Sequence, residues 1–92
     1  MKTLTFNVYN DPGHGWIKVS KKTLVRFFGE HWRKSFTPFS HERGEYTYLE
    51  EDQDAATFIQ RLKDNQIQPV WRHYYNKTRY SRIRNYSPLQ PI

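Results

Sequence analysis

A chain of 92 residues with a formal charge of +6 and no cysteine fits one domain, near the size at which a single core becomes marginal, and has neither disulfides nor thiolate metal sites. No stretch approaches the ~20 apolar residues that cross a bilayer, and MKTLTFNVYN alternates rather than running apolar like a secretion signal, so a cytoplasmic protein with no membrane partner is expected. Phe, Tyr and Trp make up 17% of the residues while aliphatic side chains are few, which predicts an aromatic core with spare rings left at the surface.

Leu4, Phe6 and Val8 alternate with Thr5, Asn7 and Tyr9, the period of a strand with one buried face. Trp16 to Val19 makes a second strand, with Trp16 and Lys18 on one face and Ile17 and Val19 on the other, and DPGHG joins the two as a hairpin. Within that turn Asp11 is expected to accept from backbone amides, Pro12 fixes its own φ, His14 caps the reversal, and Gly13 and Gly15 are free to take positive φ. Ser20 caps a helix over residues 21–28 that Gly29 stops, with Leu24, Val25 and Phe28 toward the core. From Glu30 to Gly44 periodicity fades, and HWRKSFTPFSHERGE reads as a long ordered loop anchored by Trp32, Phe36 and Phe39.

Tyr46 to Leu49 returns to strand character. Asp52 or Asp54 then caps a second helix, ended by Asn65, in which Ala55, Phe58, Ile59 and Leu62 form one apolar stripe. Val70 to Tyr75 is the last strand, with Pro69 at its start or marking a sheet edge. These elements predict an α+β fold, a small, mainly antiparallel sheet of about four strands with two helices on one face. Residues 1–76 would form the domain and residues 77–92 a partly extended, basic, aromatic tail.

Charge is segregated along the chain. Residues 42–64 hold seven acids against three bases, whereas five bases and no acid follow Asp64. The run WRHYYNKTRYSRIRNY interleaves Arg72, Lys77, Arg79, Arg82 and Arg84 with Trp71, Tyr74, Tyr75, Tyr80 and Tyr86. Guanidinium groups pair with phosphate and rings stack on bases, so these residues, with Lys18, Lys21 and Lys22, are candidates to bind nucleic acid or another anion. Arg26, Arg33 and Lys34 add to the basic surface. The competing explanation makes Trp71 and two of the tyrosines core or sheet residues and the arginines a solvated face that neutralises the acidic helix.

Asp11, Gly13, His14, Gly15 and Trp16 form a compact turn motif. Asp11 and His14 together supply two ligands where zinc takes three or four, so no metal is expected there, although the turn amides beside Lys18 could seat a phosphate. His31, His41 and His73 lack metal or catalytic spacing, and LEEDQDA lacks the glycine and distant glutamate of a calcium loop. The expectation is a non-enzymatic protein without a cofactor.

In their order, DPGHGWIKV, YLEEDQDA and SRIRNY resemble a group of small uncharacterised proteins of bacteriophages and plasmids. Asp11, Gly13, His14, Gly15, Trp16 and Lys18 match one motif of that group, and Glu50, Glu51, Asp52 and Asp54 another. The loop from Glu30 to Phe36 is longer and more basic than the group's pattern. The resemblance implies a mobile-element accessory protein in a bacterial cytoplasm, and it implies no reaction, cofactor or catalytic residue. Three roles follow from these readings: binding nucleic acid or a phosphate-rich partner, inhibiting a host defence protein by direct contact, or holding a small nucleotide at the DPGHG turn.

Overall fold

The alternation of Leu4, Phe6 and Val8 becomes strand β1 (Lys2–Asn10) in a computed structural model that describes residues 2–91. It is followed by β2 (Gly15–Ser20), α1 (Lys21–Phe28), β3 (His41–Arg43), β4 (Tyr46–Glu50), α2 (Asp54–Asp64), β5 (Ile67–Tyr75) and β6 (Ser87–Pro88), with 3₁₀ turns at Trp32–Ser35 and Arg82–Asn85. The sheet runs β5-β1-β2-β4-β3-β6, and only the β1–β5 pair is parallel. Helix α2 carries the chain from β4 to β5, the crossover that a parallel pairing demands.

Six strands replace the expected four. Both additions are short and lie in segments without strand periodicity: β3 in the loop before Gly44, and β6 in the expected tail. They are held by neighbours rather than by their own pattern, with His41 registered against Tyr48 and Pro88 against His41. The chain beyond residue 76 is correspondingly packed: Ile83 and Leu89 are buried, and Leu89 N donates to the Ser40 carbonyl at 2.9 Å.

One sheet face is covered by both helices and holds the main core. Phe58, Leu24, Leu49 and Leu62 are fully buried there with Ile17, Val19 and Phe6, each large side chain contributing roughly 1.5–3 kcal/mol by leaving water. Phe6 meets Phe58 edge-on, with ring centroids 5.1 Å apart, and Phe28 meets Phe36 at 5.0 Å. Ser20 caps α1 by accepting from Thr23 N, and Gly29 ends it at φ 84°, a conformation that favours glycine. Val25 is exposed, contrary to expectation, because α1 turns Leu24 inward and leaves Phe27 and Phe28 partly packed. Trp32 and Phe36 anchor the following loop as expected, whereas Phe39 is an exposed ring.

Asp54 opens α2 but does not cap it. Its buried carboxylate turns toward the loop and accepts from Thr37 N, from Thr37 Oγ1 at 2.8 Å and from Ser40 Oγ, so the residue ahead of the helix is Gln53, without a side-chain cap. Pro69 lies inside β5, and β5 is the edge of the sheet, where a missing N–H leaves no ladder bond unmade.

Candidate functional site

Strand periodicity sends Tyr9, Trp16, Lys18, Tyr46, Tyr48, Arg72 and Tyr74 to the sheet face without helices, since residues directly across a pairing share a face. Tyr9 stacks on Tyr74, with centroids 5.3 Å apart and planes 19° from parallel. Lys18 Nζ sits 4.2 Å over the Tyr46 ring. Ile83, from the 3₁₀ turn Arg82–Asn85, then buries itself against Trp16 and Tyr48 and makes a second, smaller core on this face.

A bidentate ion pair pins that segment in place. Arg84 Nε donates to Asp11 Oδ2 at 2.6 Å and Nη2 donates to Oδ1 at 2.7 Å. Asp11 also accepts from Gly13 N and His14 N at 2.9 and 3.0 Å and from Ser81 N at 2.8 Å. Arg84 and these amides hold its carboxyl far below the usual carboxylate range against the opposing effect of burial, and the same pair raises the Arg84 pKa. The Asx-type turn is therefore present, but its amides are taken by Asp11 and do not form an open nest for phosphate.

Gly13 and Gly15 do not adopt positive φ, contrary to expectation. Their need is space: a Cβ on Gly13 would lie 2.8 Å from Arg84 Nη2, and one on Gly15 would lie 2.7 Å from Asn10 Oδ1. The glycines let the protein's own side chains close on the turn.

Between β5 and the docked segment runs a cleft of about 640 Å³, within the usual range for ligand sites. Tyr9, Tyr48, Tyr74, Tyr75, Tyr80 and Tyr86 line it together with Lys18, Arg79 and Arg82, and no carboxylate does. Tyr80 is 72% exposed, and the Arg84 guanidinium lies 4.4 Å from its ring centroid. Burial raises the Tyr48 pKa, so its hydroxyl stays protonated as a donor. Arg72 lies on the same face beside Asn7, and both it and Lys77 are exposed outside the cleft lining.

The remaining candidates lie apart. Lys21 begins the helix on the opposite side and donates to Glu42 at 2.8 Å, Lys22 follows it there, and Arg33 grips the same carboxylate at 2.7 Å. Arg33 first, aided by Lys21 and the Gln90 amide, brings the Glu42 pKa down to about 2 despite burial. A second cleft of about 620 Å³ beside Arg33, Arg43 and Tyr86 thus has Glu42 neutralising its wall. Trp71 faces the core against Phe6, with ring centroids 5.7 Å apart, so one of the interleaved rings is structural.

Tyr9 and Tyr48 escaped sequence reasoning. Each alternates with core residues on its strand, and an aromatic ring at the outward position of two strands was the available signal. His14 lies near Glu50 and Glu51 rather than pairing with Asp11, and these three are the only cluster of metal-type ligands among the described residues. No helix is long and apolar enough to cross a membrane. In comparisons with known proteins, the chain matches no family model, no curated protein and no solved structure.

Proposed function

We propose that this protein is a non-enzymatic module that binds single-stranded nucleic acid in the tyrosine cleft. One observation carries the reading: six tyrosines and three cations line a single open cleft from which carboxylates are absent. Rings of this kind stack on bases only where the bases are not already stacked in a duplex, and Lys18, Arg79 and Arg82 supply the cleft with cations of the kind that pair with phosphates. Among the described residues, neither Arg79 nor Arg82 has a carboxylate within salt-bridge distance, so both charges are available. The likeness of DPGHGW and LEEDQDA to phage and plasmid proteins supports placing this role in a mobile-element accessory protein of a bacterial cytoplasm.

Fluorescence polarisation with a short single-stranded DNA, its RNA equivalent and the matching duplex tests the reading. Single strands are expected to bind in the micromolar range or tighter and better than duplex. Three phosphate contacts predict a roughly 20-fold loss of affinity between about 50 and 200 mM salt. Tyr80→Ala is expected to cost about 1–3 kcal/mol of binding, and Arg79→Ala to flatten the salt dependence by about 0.7 in logarithmic slope. Absence of salt-sensitive binding, alongside a stoichiometric host protein that stays bound at high salt, would favour the inhibitor role instead.

A further inference from the structure

Two motifs distant in the chain meet at one end of the sheet. Trp16 is registered against Glu50, and Glu51 N donates to the Gly15 carbonyl at 3.0 Å, which sets the DPGHG turn beside the end of β4. His14 Nδ1 consequently lies 3.8 Å from Glu50 Oε1 and 4.0 Å from Glu51 Oε1, and ligand atoms of all three residues fall within 4.8 Å of one another. These separations are too long for hydrogen bonds. The two His14 separations are close to the roughly 3.3–3.6 Å between neighbouring ligands around a tetrahedral ion with bonds of about 2.0–2.2 Å. A contraction of about half an ångström closes the His14 separations and one of up to about 1.3 Å the Glu50–Glu51 separation, and the half-exposed side chains of His14 and Glu51 have room to make both.

Three further features favour an ion. Glu50 is the rigid member, its side chain only 12% exposed, yet among the described residues no Lys or Arg lies within 4.0 Å of Glu50 or Glu51. Two adjacent carboxylates thus lack a cation in a protein that carries six excess positive charges. The His14 backbone is fixed through Asp11 and Arg84. Alongside lies a cleft of about 530 Å³, lined by His14, Glu50, Trp16, His41 and Arg84, into which unfilled coordination positions would open.

We propose that His14, Glu50 and Glu51 form a binding site for one divalent first-row transition ion. The imidazole selects Zn²⁺ or Mn²⁺ over Ca²⁺ and Mg²⁺, which prefer oxygen-only shells. Three protein ligands leave positions open to the cleft for water or a further ligand. This site is separate from the tyrosine cleft and stands whether or not nucleic acid binds there.

Calorimetric titration of the full chain with Zn²⁺, Mn²⁺ and Mg²⁺ near neutral pH tests it. One equivalent of Zn²⁺ is expected to bind with micromolar affinity or better and to raise Tm, with Mg²⁺ at least tenfold weaker. His14→Ala and Glu51→Gln should each weaken Zn²⁺ at least tenfold; both side chains are half-exposed, so metal-free Tm should stay at the wild-type value and show that folding is intact. His31→Ala, whose ring faces Glu30 alone at 3.4 Å, should leave the affinity unchanged. Absence of stoichiometric Zn²⁺ binding, or binding that survives His14→Ala, would overturn the assignment.

Discussion

Asp11 and Arg84 are joined through both carboxylate oxygens, and this one pair closes the β1–β2 turn and docks the C-terminal segment. Its Asx-turn half is written locally, because an Asp followed by Pro and Gly accepts from amides two and three residues on. The Arg84 half is not, since nothing in RNY distinguishes an arginine that returns to the turn from Arg82, two residues earlier, which lines the cleft. Glu42 is a similar surprise, an acid at the edge of a featureless loop that collects Arg33 and Lys21. Its pKa of about 2 lies below the ordinary 4.5, so its ion-pair stabilisation is complete above about pH 4.5 and is lost as pH falls toward 2. Asp11 shifts in the same direction and adds to acid lability. Denaturant unfolding across that range should show stability falling in the wild type and falling less in Glu42→Gln, by roughly 1–2 kcal/mol after allowance for solvent screening. Identical pH profiles would show that the Glu42 pairs contribute nothing.

At the scale of elements, the two helices and the long strands follow periodicity, and apart from the exposed Val25 their cores are those the apolar stripes predict. The short strands β3 and β6 do not, because three and two residues carry no readable pattern and depend on a neighbour for their place, β3 on β4 and β6 on β3. The C-terminal segment misleads for a related reason: its abundant polar residues suggest solvent, while Ile83 and Leu89 alone supply its burial. Removing one of these contacts should be costly. Ile83→Ala is expected to destabilise the protein by about 2–4 kcal/mol and to speed hydrogen exchange at Tyr86 N, which donates to the Ile83 carbonyl, more than within α2. A change below about 0.5 kcal/mol, the level of a surface substitution, would mean that the segment does not dock.

Viewed whole, the molecule divides its work between the faces of one sheet. Helices and apolar rings close one face, and tyrosines with cations open the other, so a fold of 92 residues keeps exposed rings without giving up its core. The basic surplus was readable from composition, but its sorting was not: Arg84, Lys21 and Arg33 serve the fold, while Lys18, Arg79 and Arg82 line the cleft. That sorting comes from sheet register and ion pairing across long loops, which no local pattern records. Amide chemical-shift mapping during titration with a single-stranded oligonucleotide tests the division directly. The account predicts shifts concentrated at Lys18, Tyr74, Arg79 and Tyr80, with Leu24 and Phe58 unmoved; shifts centred on Lys21 and Lys22 of α1, or none on the tyrosine face, would contradict it.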